Sequence, residues 1–425
     1  MKIQKKVIFC LIIFLLACGL IEIFAFAALH FLWGNKSRIN AGAVCNDPKA
    51  DLKIILPPWM TKNVGRFIIH PYLGFIYNPQ ELEITKFGFL DTKIPIQKKS
   101  DNKIIIGIFG GSAAEILAQF GANTLKDALS QANAFKDKEI IVINLAIGSY
   151  KQPQQLMVLN YLLALGGEFD FVLNLDGFNE LVLPVLRNIP NNVNPFFPRR
   201  WDLKVVDTAI METQIVILAD ILNLKQKSLR QANIVSCGIL RFSSTARLIN
   251  YCLERDLNSK ITEKRMQLFN LQKEQTKDTR SVLGHGPDFN YDNEQALYLA
   301  LTEFWARSSK QMRDLCSANK IKYLHFIQPC QYLPDSKNMN QTELDIAFDP
   351  NALHRPIVVK GYPYLKEQGQ SLKEQGVALY DLSMVFKDCA QPLYIDTFCH
   401  FGQEGSQIVA QAMAEAMLKE CEKAE

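Results

Sequence analysis

Five residues that could take part in acyl chemistry are spread along the chain. They are Ser112, Gly148, Asn179, Asp396 and His400. A serine hydroxyl can attack a carbonyl carbon, an imidazole can take its proton, and a carboxylate can orient the imidazole. Backbone N–H groups and a side-chain amide can stabilise the negative oxygen that forms. Each residue alone has an ordinary structural explanation, but the set and its order favour a nucleophilic site.

The tripeptide Gly110-Gly111-Ser112 follows the apolar run 104–109 and precedes a helix-compatible stretch, 113–135. Two glycines permit a sharp turn, and a serine at a helix N-terminus lies where free N–H groups favour a developing oxyanion. A helix N-cap serine is the structural alternative. A dinucleotide turn is a second alternative, although the tripeptide and Gly107 lack the order G-x-G-x-x-G.

The elements that must position these residues are predicted from short apolar runs rich in β-branched residues, which are typical of strands buried on both faces. The runs lie at 104–109, 140–145, 171–175, 321–327 and 377–380. Helix-compatible stretches separate the first three runs, so the alternation predicts an α/β fold with a five-stranded parallel sheet. Ligands bind beyond the carboxyl ends of such strands, which is where the five residues lie.

Three regions are expected beyond the sheet. Residues 36–100, rich in Pro, Asn and aromatic residues, predict a lead-in segment packed on a domain that spans 101–420. The β-α alternation breaks at about 181–292, where long amphipathic stretches predict a helical insertion. Asp292, with Gln295 three residues later, resembles a capping box that opens the next helix.

The N-terminal 35 residues predict a cytoplasmic tip and a transmembrane anchor. Three lysines precede an apolar run, 7–33, that exceeds the roughly 20 residues needed to cross a membrane. Glu22 interrupts the run, and its carboxyl is costly there unless it is protonated or paired with another helix. The basic cluster places the N-terminus in the cytoplasm and the remaining chain in the periplasm or outside the cell. Ala25-Phe26-Ala27 resembles a cleavage site and Leu15–Cys18 a lipoprotein box, but the sequence stays apolar after both.

Composition narrows the class of protein. The chain has 425 residues, of which 48% are hydrophobic and 21% charged, as in ordinary globular proteins. A net charge of +4 does not indicate nucleic acid as the main partner. No two of the six histidines have zinc-site spacing, so we expect no metal. The ten cysteines form no C-x-x-C pair, and disulfides are permitted in an oxidising compartment without their pairing being readable.

Taken together, these motifs resemble those of the SGNH, or GDSL-like, serine hydrolases. Ser112 matches the first block, with Gly111 where the family motif has Asp. Gly148 matches the second block, Asn179 the third, and His400 with its upstream aspartate the fifth. The resemblance implies a flavodoxin-like three-layer α/β/α sandwich. It also implies hydrolysis or transfer of an acyl ester on a carbohydrate or lipid of the cell envelope, without metal or organic cofactor.

The resemblance also implies a role for each residue. His400 takes the proton of Ser112, whose oxygen attacks the ester carbonyl, and Asp396 orients the imidazole. Ser112 N–H, Gly148 N–H and the Asn179 amide form the oxyanion hole. Water or a sugar hydroxyl then accepts the acyl group, so these residues do not separate a hydrolase from a transferase.

The fifth block departs from the family pattern, because three residues rather than two separate Asp396 from His400. We therefore expect the chain to bulge or turn between them, with Phe398 pointing inward and Cys399 anchoring the loop. A disulfide from Cys399 to Cys389 or Cys330 could provide that anchor. Asp381 and Asp388 are the alternative carboxylates.

Two rival functions remain at this point. The first is a catalytically inactive carbohydrate-binding or scaffold protein on the same fold, which the altered Asp/His spacing favours. The second is a nucleotide-binding protein that uses the glycine turn, for which no ribose-binding acidic residue stands out.

Overall fold

The computed structural model describes residues 2–33, 67–81, 83–204, 208–236, 238–278 and 282–423. The chain divides into two compact units. The helical unit contains Met1–Thr61 and Val206–Arg280, and the sheet unit contains Lys62–Val205 and Ser281–Glu425. All candidate site residues belong to the sheet unit.

The elements follow one another in the order expected for an α/β chain with a helical interruption. The first half contains α1 (Lys2–Trp33), β1 (Phe67–His70), β2 (Gly74–Tyr77), β3 (Lys103–Gly110), α2 (Ser112–Phe120), α3 (Ala122–Ser130), β4 (Glu139–Asn144), α4 (Gln154–Ala164), β5 (Phe171–Asp176), α5 (Phe178–Leu183) and α6 (Trp201–Lys204). The second half contains α7 (Thr208–Ser236), α8 (Ser244–Asp278), α9 (Val282–His285), α10 (Glu294–Ala318), β6 (Lys322–Ile327), α11 (Gln341–Ala347), α12 (Arg355–Glu374), β7 (Ala378–Asp381) and α13 (Gln403–Glu422).

The prediction of a five-stranded parallel sheet is confirmed. Its strands lie in the order β4-β3-β5-β6-β7, and every neighbouring pair is parallel. Counted along the chain, this order is 2-1-3-4-5, which places a topological switch point between β3 and β5.

Both faces of the sheet are buried, as the continuous apolar runs predict. Along β3, Ile105 and Phe109 belong to one hydrophobic cluster, together with side chains from α4, α10 and α12. The alternate residues Ile106 and Ile108 belong to the other cluster, together with side chains from α2, α3 and α13. Each large apolar side chain buried in this way contributes about 1.5–3 kcal/mol. The sheet is therefore a rigid base for the loops at its edge.

The described part of the lead-in contains structure that the sequence did not predict. Strands β1 and β2 form an antiparallel hairpin, and Phe75 and Tyr77 of β2 are buried in the same cluster as Ile105. Residues 36–66 and 82 of the predicted lead-in lie outside the described residues.

The segment predicted as a helical insertion, about 181–292, is divided between the two units. Within the predicted range 181–292, residues 181–205 and 281–292 belong to the sheet unit, and the described elements of the remaining segment are mostly the long helices α7 and α8. The following helix begins one residue later than expected. Asn293, and not Asp292, is the N-cap of α10, because Asn293 Oδ1 accepts the Ala296 N–H at 2.9 Å. Both residue types cap helices well, so the sequence does not distinguish the two neighbours.

Helix α1 contains a segment, Lys6–Phe31, that is long and apolar enough to cross a membrane or to act as a signal anchor. Within the helical unit, the carboxylate of Glu22 accepts hydrogen bonds from Ser243 Oγ at 2.5 Å and from Ser244 N at 2.6 Å. The Glu22 carboxylate therefore has partners at the start of α8 that satisfy its hydrogen-bonding capacity.

Candidate active site

Ser112 begins α2 directly after the turn that ends β3. Gly110 has a φ of +147°, which glycine adopts without strain, and a Cβ at this position would lie 2.2 Å from the Leu175 carbonyl oxygen. A Cβ on Gly111 would lie 2.3 Å from Asn179 Nδ2. The first glycine therefore makes the turn, and the second leaves room for the amide of Asn179 beside the serine.

This turn lies at the switch point of the sheet. Strand β3 pairs with β4 on one side and β5 on the other. The chain segments that leave β3 and β5 diverge to opposite faces, which opens a crevice beyond the carboxyl ends of these strands. Ser112 follows β3 and Asn179 follows β5, so both side chains border the crevice.

His400 connects the serine to a carboxylate. Its Nε2 lies 2.6 Å from Ser112 Oγ, and its Nδ1 lies 2.6 Å from Asp396 Oδ2. In the tautomer that satisfies both bonds, Nδ1–H donates to Asp396 and Nε2 accepts the Ser112 hydroxyl proton. Partial burial raises the pKa of the Asp396 carboxyl, but the hydrogen bond and charge of His400 and the Phe398 N–H outweigh burial. The net pKa of Asp396 lies below its usual value, so the carboxylate is charged at neutral pH.

The three residues between Asp396 and His400 form a tight turn. The backbone of Tyr394 bridges that of Phe401 in antiparallel fashion, and Ile395 N–H donates to the His400 carbonyl at 3.0 Å. Cys399 closes the turn with a φ of +63°. The structure therefore contains the turn that the unusual spacing requires.

The expected orientation of Phe398 is wrong. Its side chain is 47% exposed, and its ring lies 5.1 Å from that of His354. The reason is the left-handed backbone at Cys399, which places the sulfur of that residue inside the protein and the preceding aromatic ring outside.

The turn is held by two side chains from other elements. Gln331, after β6, donates from Nε2 to the Asp396 carbonyl oxygen at 2.9 Å. His354 Nε2 lies 2.6 Å from the Thr397 carbonyl oxygen. Burial lowers the pKa of His354, which favours the neutral ring. Both bonds fix the backbone of the turn, so the Asp396 carboxylate faces His400 without further movement.

Two cysteine side chains are also in contact beneath the turn between Asp396 and His400. Cys330 and Cys399 are completely buried, and their sulfur atoms lie 2.8 Å apart as free thiols. Of the two partners expected for Cys399, Cys330 is therefore the one in contact, while Cys389 remains a separate free thiol.

The alternative carboxylates have other positions. Asp381 lies 3.4 Å from Lys366 Nζ and accepts the Ser383 N–H at 2.9 Å. Asp388 is exposed. Among the described contacts, Asp396 is the carboxylate that reaches His400.

Two of the predicted oxyanion donors already have acceptors. Asn179 Nδ2 donates to the Tyr150 carbonyl at 2.8 Å, which leaves the second hydrogen of this amide for another acceptor. A Cβ on Gly148 would lie 3.9 Å from Ser112 Cβ, so the glycine is next to the serine. However, Gly148 N–H donates to Glu115 Oε2 at 3.1 Å.

Glu115 and Tyr77 are site residues that the sequence analysis missed. The Tyr77 hydroxyl donates to Glu115 Oε2 at 2.8 Å, so tyrosine and Gly148 share one carboxylate oxygen. Glu115 could have been found, because it lies three residues after Ser112 and therefore on the same helix face. Tyr77 comes from the unpredicted hairpin, and no spacing relates it to the serine.

A second series of serine, histidine and aspartate lies inside the sheet unit. His325 Nδ1 is 2.7 Å from Ser309 Oγ, and His325 Nε2 is 2.8 Å from Asp176 Oδ1. Ser309 and His325 are completely buried and Asp176 is 2% exposed. The indole N–H of Trp305 also donates to Asp176 at 2.7 Å. These groups form a closed network without access for a substrate.

Within the described ranges, no group of three or more His, Cys, Asp or Glu side chains is arranged to hold a metal ion. The described residues of the site offer a serine hydroxyl, an imidazole, carboxylates and N–H donors.

Comparison with known proteins gives no family assignment. No protein-family model matches the chain, and no curated protein matches it. The geometry of the site is therefore the basis for assigning a function.

Proposed function

We propose that the chain is a serine-dependent acyl-ester hydrolase or O-acyltransferase of the SGNH type. Ser112, His400 and Asp396 are its catalytic residues. The observation that carries the proposal is the continuous hydrogen-bonded series from Asp396 through His400 to Ser112 Oγ, with 2.6 Å at both contacts. The position of Ser112 at the start of a helix beside a switch point supports the same role.

The first half of the reaction follows from the hydrogen bonds. Ser112 Oγ attacks the ester carbonyl carbon while its proton passes to His400 Nε2. The charged imidazole is stabilised by the Asp396 carboxylate. Collapse of the tetrahedral intermediate breaks the ester C–O bond, and His400 returns the proton to the leaving alcohol. The acyl group is then covalently held on Ser112.

The second half needs an acceptor hydroxyl. His400 takes a proton from water or from a sugar hydroxyl while the oxygen of that group attacks the acyl carbon. Collapse of the second tetrahedral intermediate breaks the bond between the acyl carbon and Ser112 Oγ, and His400 returns the proton to Oγ. The oxyanion of both intermediates would be held by Ser112 N–H and the unused N–H of Asn179. Gly148 N–H joins them when the Glu115 carboxylate gives up its bond. One such donor lowers the barrier by about 3–4 kcal/mol.

The fold and location belong to the same proposal. The strand order and the burial of both sheet faces support a flavodoxin-like three-layer α/β/α arrangement. Three lysines at the start of α1, ahead of its apolar segment, support an N-terminus in the cytoplasm, and the apolar run that continues past both candidate cleavage sites supports an uncleaved anchor. The sheet unit would then act in the periplasm or outside the cell, on an acylated carbohydrate or lipid of the envelope.

The alternative is a catalytically inactive carbohydrate-binding or scaffold protein on the same fold. The observation that favours this alternative is the Glu115 carboxylate, which occupies the N–H of Gly148 beside the serine. A permanently occupied donor would weaken oxyanion stabilisation, although it leaves the nucleophile and base intact.

Labelling by a fluorophosphonate probe separates the two functions, because only an activated serine reacts. We expect the full chain to be labelled at Ser112, identified by peptide mass, and Ser112→Ala to be unlabelled. Ser130→Ala is the control, since this exposed serine donates to carbonyl oxygens of its own helix in the described hydrogen bonds. A screen of acetyl sugars and longer acyl esters then defines the acyl chain. Absence of labelling at Ser112 would favour the inactive alternative.

A further inference from the structure

A group of cations lies beside the site without acidic partners. We call Arg187, Arg199 and Lys204 the cationic cluster. Among the described residues, no carboxylate lies within 4.0 Å of these side chains, whereas the neighbouring Arg200 is paired with Asp202 at 2.8 Å. Three cations without compensating acids are electrostatically unfavourable, and an anion would compensate them.

Arg199 is connected directly to the turn that contains Gly148. Its Nη1 donates to Ser149 Oγ at 2.7 Å, and Ser149 follows the glycine that lies against Ser112. One nitrogen of the guanidinium is thereby fixed. The remaining N–H donors of the planar group can bind a carboxylate or phosphate in a forked geometry.

Lys204, the last residue of α6, lies against aromatic rings of the β1–β2 hairpin. Its ammonium lies 4.0 Å from the centre of the Phe75 ring and 5.2 Å from that of Phe67. Phe67 stacks on Tyr77 at 4.8 Å, and the Tyr77 hydroxyl lies 3.3 Å from the position of a Cβ on Gly148. Arg199 is therefore one hydrogen bond away from the turn at Gly148, whereas Lys204 is connected to it through the rings of Phe67 and Tyr77.

Burial and neighbouring cations lower the pKa values of Arg199 and Lys204 in the cationic cluster. Burial, together with Arg187 and Arg200, lowers the pKa of Arg199. Burial and Arg199 lower the pKa of Lys204 to about 8. A bound anion would favour the charged form of both groups, so its binding and the protonation of Lys204 reinforce each other.

We infer that the acyl substrate carries a negatively charged group, a carboxylate or a phosphate, that binds to Arg199 and Lys204 while its ester lies at Ser112. This inference rests on the proposed function and specifies its substrate class. The structural alternative is that Arg199 only holds the Ser149 turn and Lys204 only covers the aromatic rings.

A matched series of acetylated methyl glycosides tests the inference. The three compounds differ only at position 6. The glucoside has a neutral CH2OH group there, the glucuronide has a carboxylate, and the glucoside 6-phosphate has a phosphate ester. We expect kcat/KM for a charged member to exceed that for the neutral one by roughly tenfold, the effect of one charge-assisted hydrogen bond. The charged member that is preferred identifies the natural group as carboxylate or phosphate.

Two substitutions test whether the cationic cluster causes the preference for a charged glycoside. In Arg199→Gln and Lys204→Met, the ratio of charged to neutral kcat/KM should fall towards one, mainly through KM. Arg307→Gln and Lys136→Met are matched controls on other surfaces and should keep the wild-type ratio. A purely structural role would lower kcat/KM for all three glycosides equally and leave the ratio unchanged, which would overturn the inference.

Binding separates failure of the inference from failure of the proposed function. Calorimetry with Ser112→Ala and the same three glycosides measures affinity without turnover. Equal affinities would overturn the inference even if Ser112 is labelled by the fluorophosphonate. Tighter binding of a charged glycoside that is lost when Arg199→Gln is added supports the anion site, and in an unlabelled protein it would leave the inactive carbohydrate-binding alternative as the function.

Discussion

Ser112, His400 and Asp396 lie at the edge of the sheet, whereas Ser309, His325 and Asp176 form a similar series within the protein. The two histidines use their nitrogens in opposite ways, since His400 contacts serine through Nε2 and His325 does so through Nδ1. The distances to serine are nearly equal, 2.6 and 2.7 Å. Hydrogen-bond geometry alone therefore does not distinguish a catalytic series from a structural one.

The surroundings of the two serine, histidine and aspartate series distinguish one series from the other. Ser112 lies at a helix N-terminus next to a crevice, while Ser309 lies in the middle of α10 with its hydroxyl also 3.2 Å from that of Tyr323. His325 is completely buried, but the side chain of His400 is 21% exposed. Access for a substrate and free N–H donors beside the serine are the features that the interior series lacks.

The largest expected effect tests this contrast at the two serines. Ser112→Ala should lower kcat on the order of 10⁵-fold or more without changing the free energy of unfolding, because nucleophile and base act as a unit. Ser309→Ala should leave turnover within about twofold but cost about 1–3 kcal/mol of stability, because His325 and Tyr323 lose a buried partner. Ester hydrolysis and urea denaturation measure the two quantities. Normal kinetics in Ser112→Ala would remove the catalytic assignment.

The carboxylates give the next largest effect. Asp396→Asn should lower turnover by about 10⁴-fold, because the imidazole loses its orienting anion and adopts the wrong tautomer. Asp176→Asn should instead lower the free energy of unfolding by about 3–5 kcal/mol, since it breaks a buried network. Asp381→Asn and Asp388→Asn are the controls for turnover. If either control loses activity while Asp396→Asn keeps it, the acid has been assigned wrongly.

The fold was largely predictable because its signals are local. Five apolar β-branched runs gave five parallel strands whose ends shift by at most one residue. The positions of Ser112 and Asn179 beyond β3 and β5 follow from the same runs. Non-local contacts were not predictable. The bond from Gly148 to Glu115 and the meeting of Ser309 with His325 depend on how separate elements face each other, and residue spacing does not contain this information.

A third prediction concerns the two cysteines beneath the turn that holds Asp396 and His400. Refolding from urea with oxidised glutathione should join Cys330 to Cys399, because both thiols are completely buried in the folded protein and the reagent reaches them in the unfolded chain. Each thiol loses one proton and one electron while the reagent is reduced to two thiols. The bond would close a loop of 69 residues and stabilise the protein by about 2–4 kcal/mol. Peptide mapping without reductant detects the link, and thermal unfolding measures the gain. Cys389→Ala should retain both, whereas Cys330→Ala should lose both; a Cys389–Cys399 link would contradict the assignment.

The last and smallest expected effect concerns the buried amine of Lys151, three residues after Gly148. Burial lowers the pKa of Lys151 from 10.5 to about 7, against the opposing influence of Glu180, and its Nζ donates to the Pro195 carbonyl at 2.6 Å. Between pH 7 and 10.5 the unfolded lysine binds a proton that the folded one has released. Stability should therefore rise with pH in this range, by at most about 1.4 kcal/mol per pH unit.

The variant Lys151→Met isolates this contribution. The difference in free energy of unfolding between wild type and Lys151→Met should grow from pH 7 to pH 9 in favour of the wild type. Lys136→Met, at an exposed position, should show no such trend. A difference that is constant with pH would mean that Lys151 remains charged in the folded protein.

The order of strands in the sheet has a consequence for how the chain folds during synthesis. Strands β3, β4 and β5 emerge early and can pair at once, but β5 gains its other neighbour, β6, only when residues 322–327 appear, roughly 145 residues later. The helices α7 and α8 are made in that interval. Until β6 arrives, β5 presents an unpaired apolar edge of the kind that promotes association between chains. The half of the crevice that contains Ser112 is thus built first, and delayed completion of the sheet leaves an aggregation-prone intermediate.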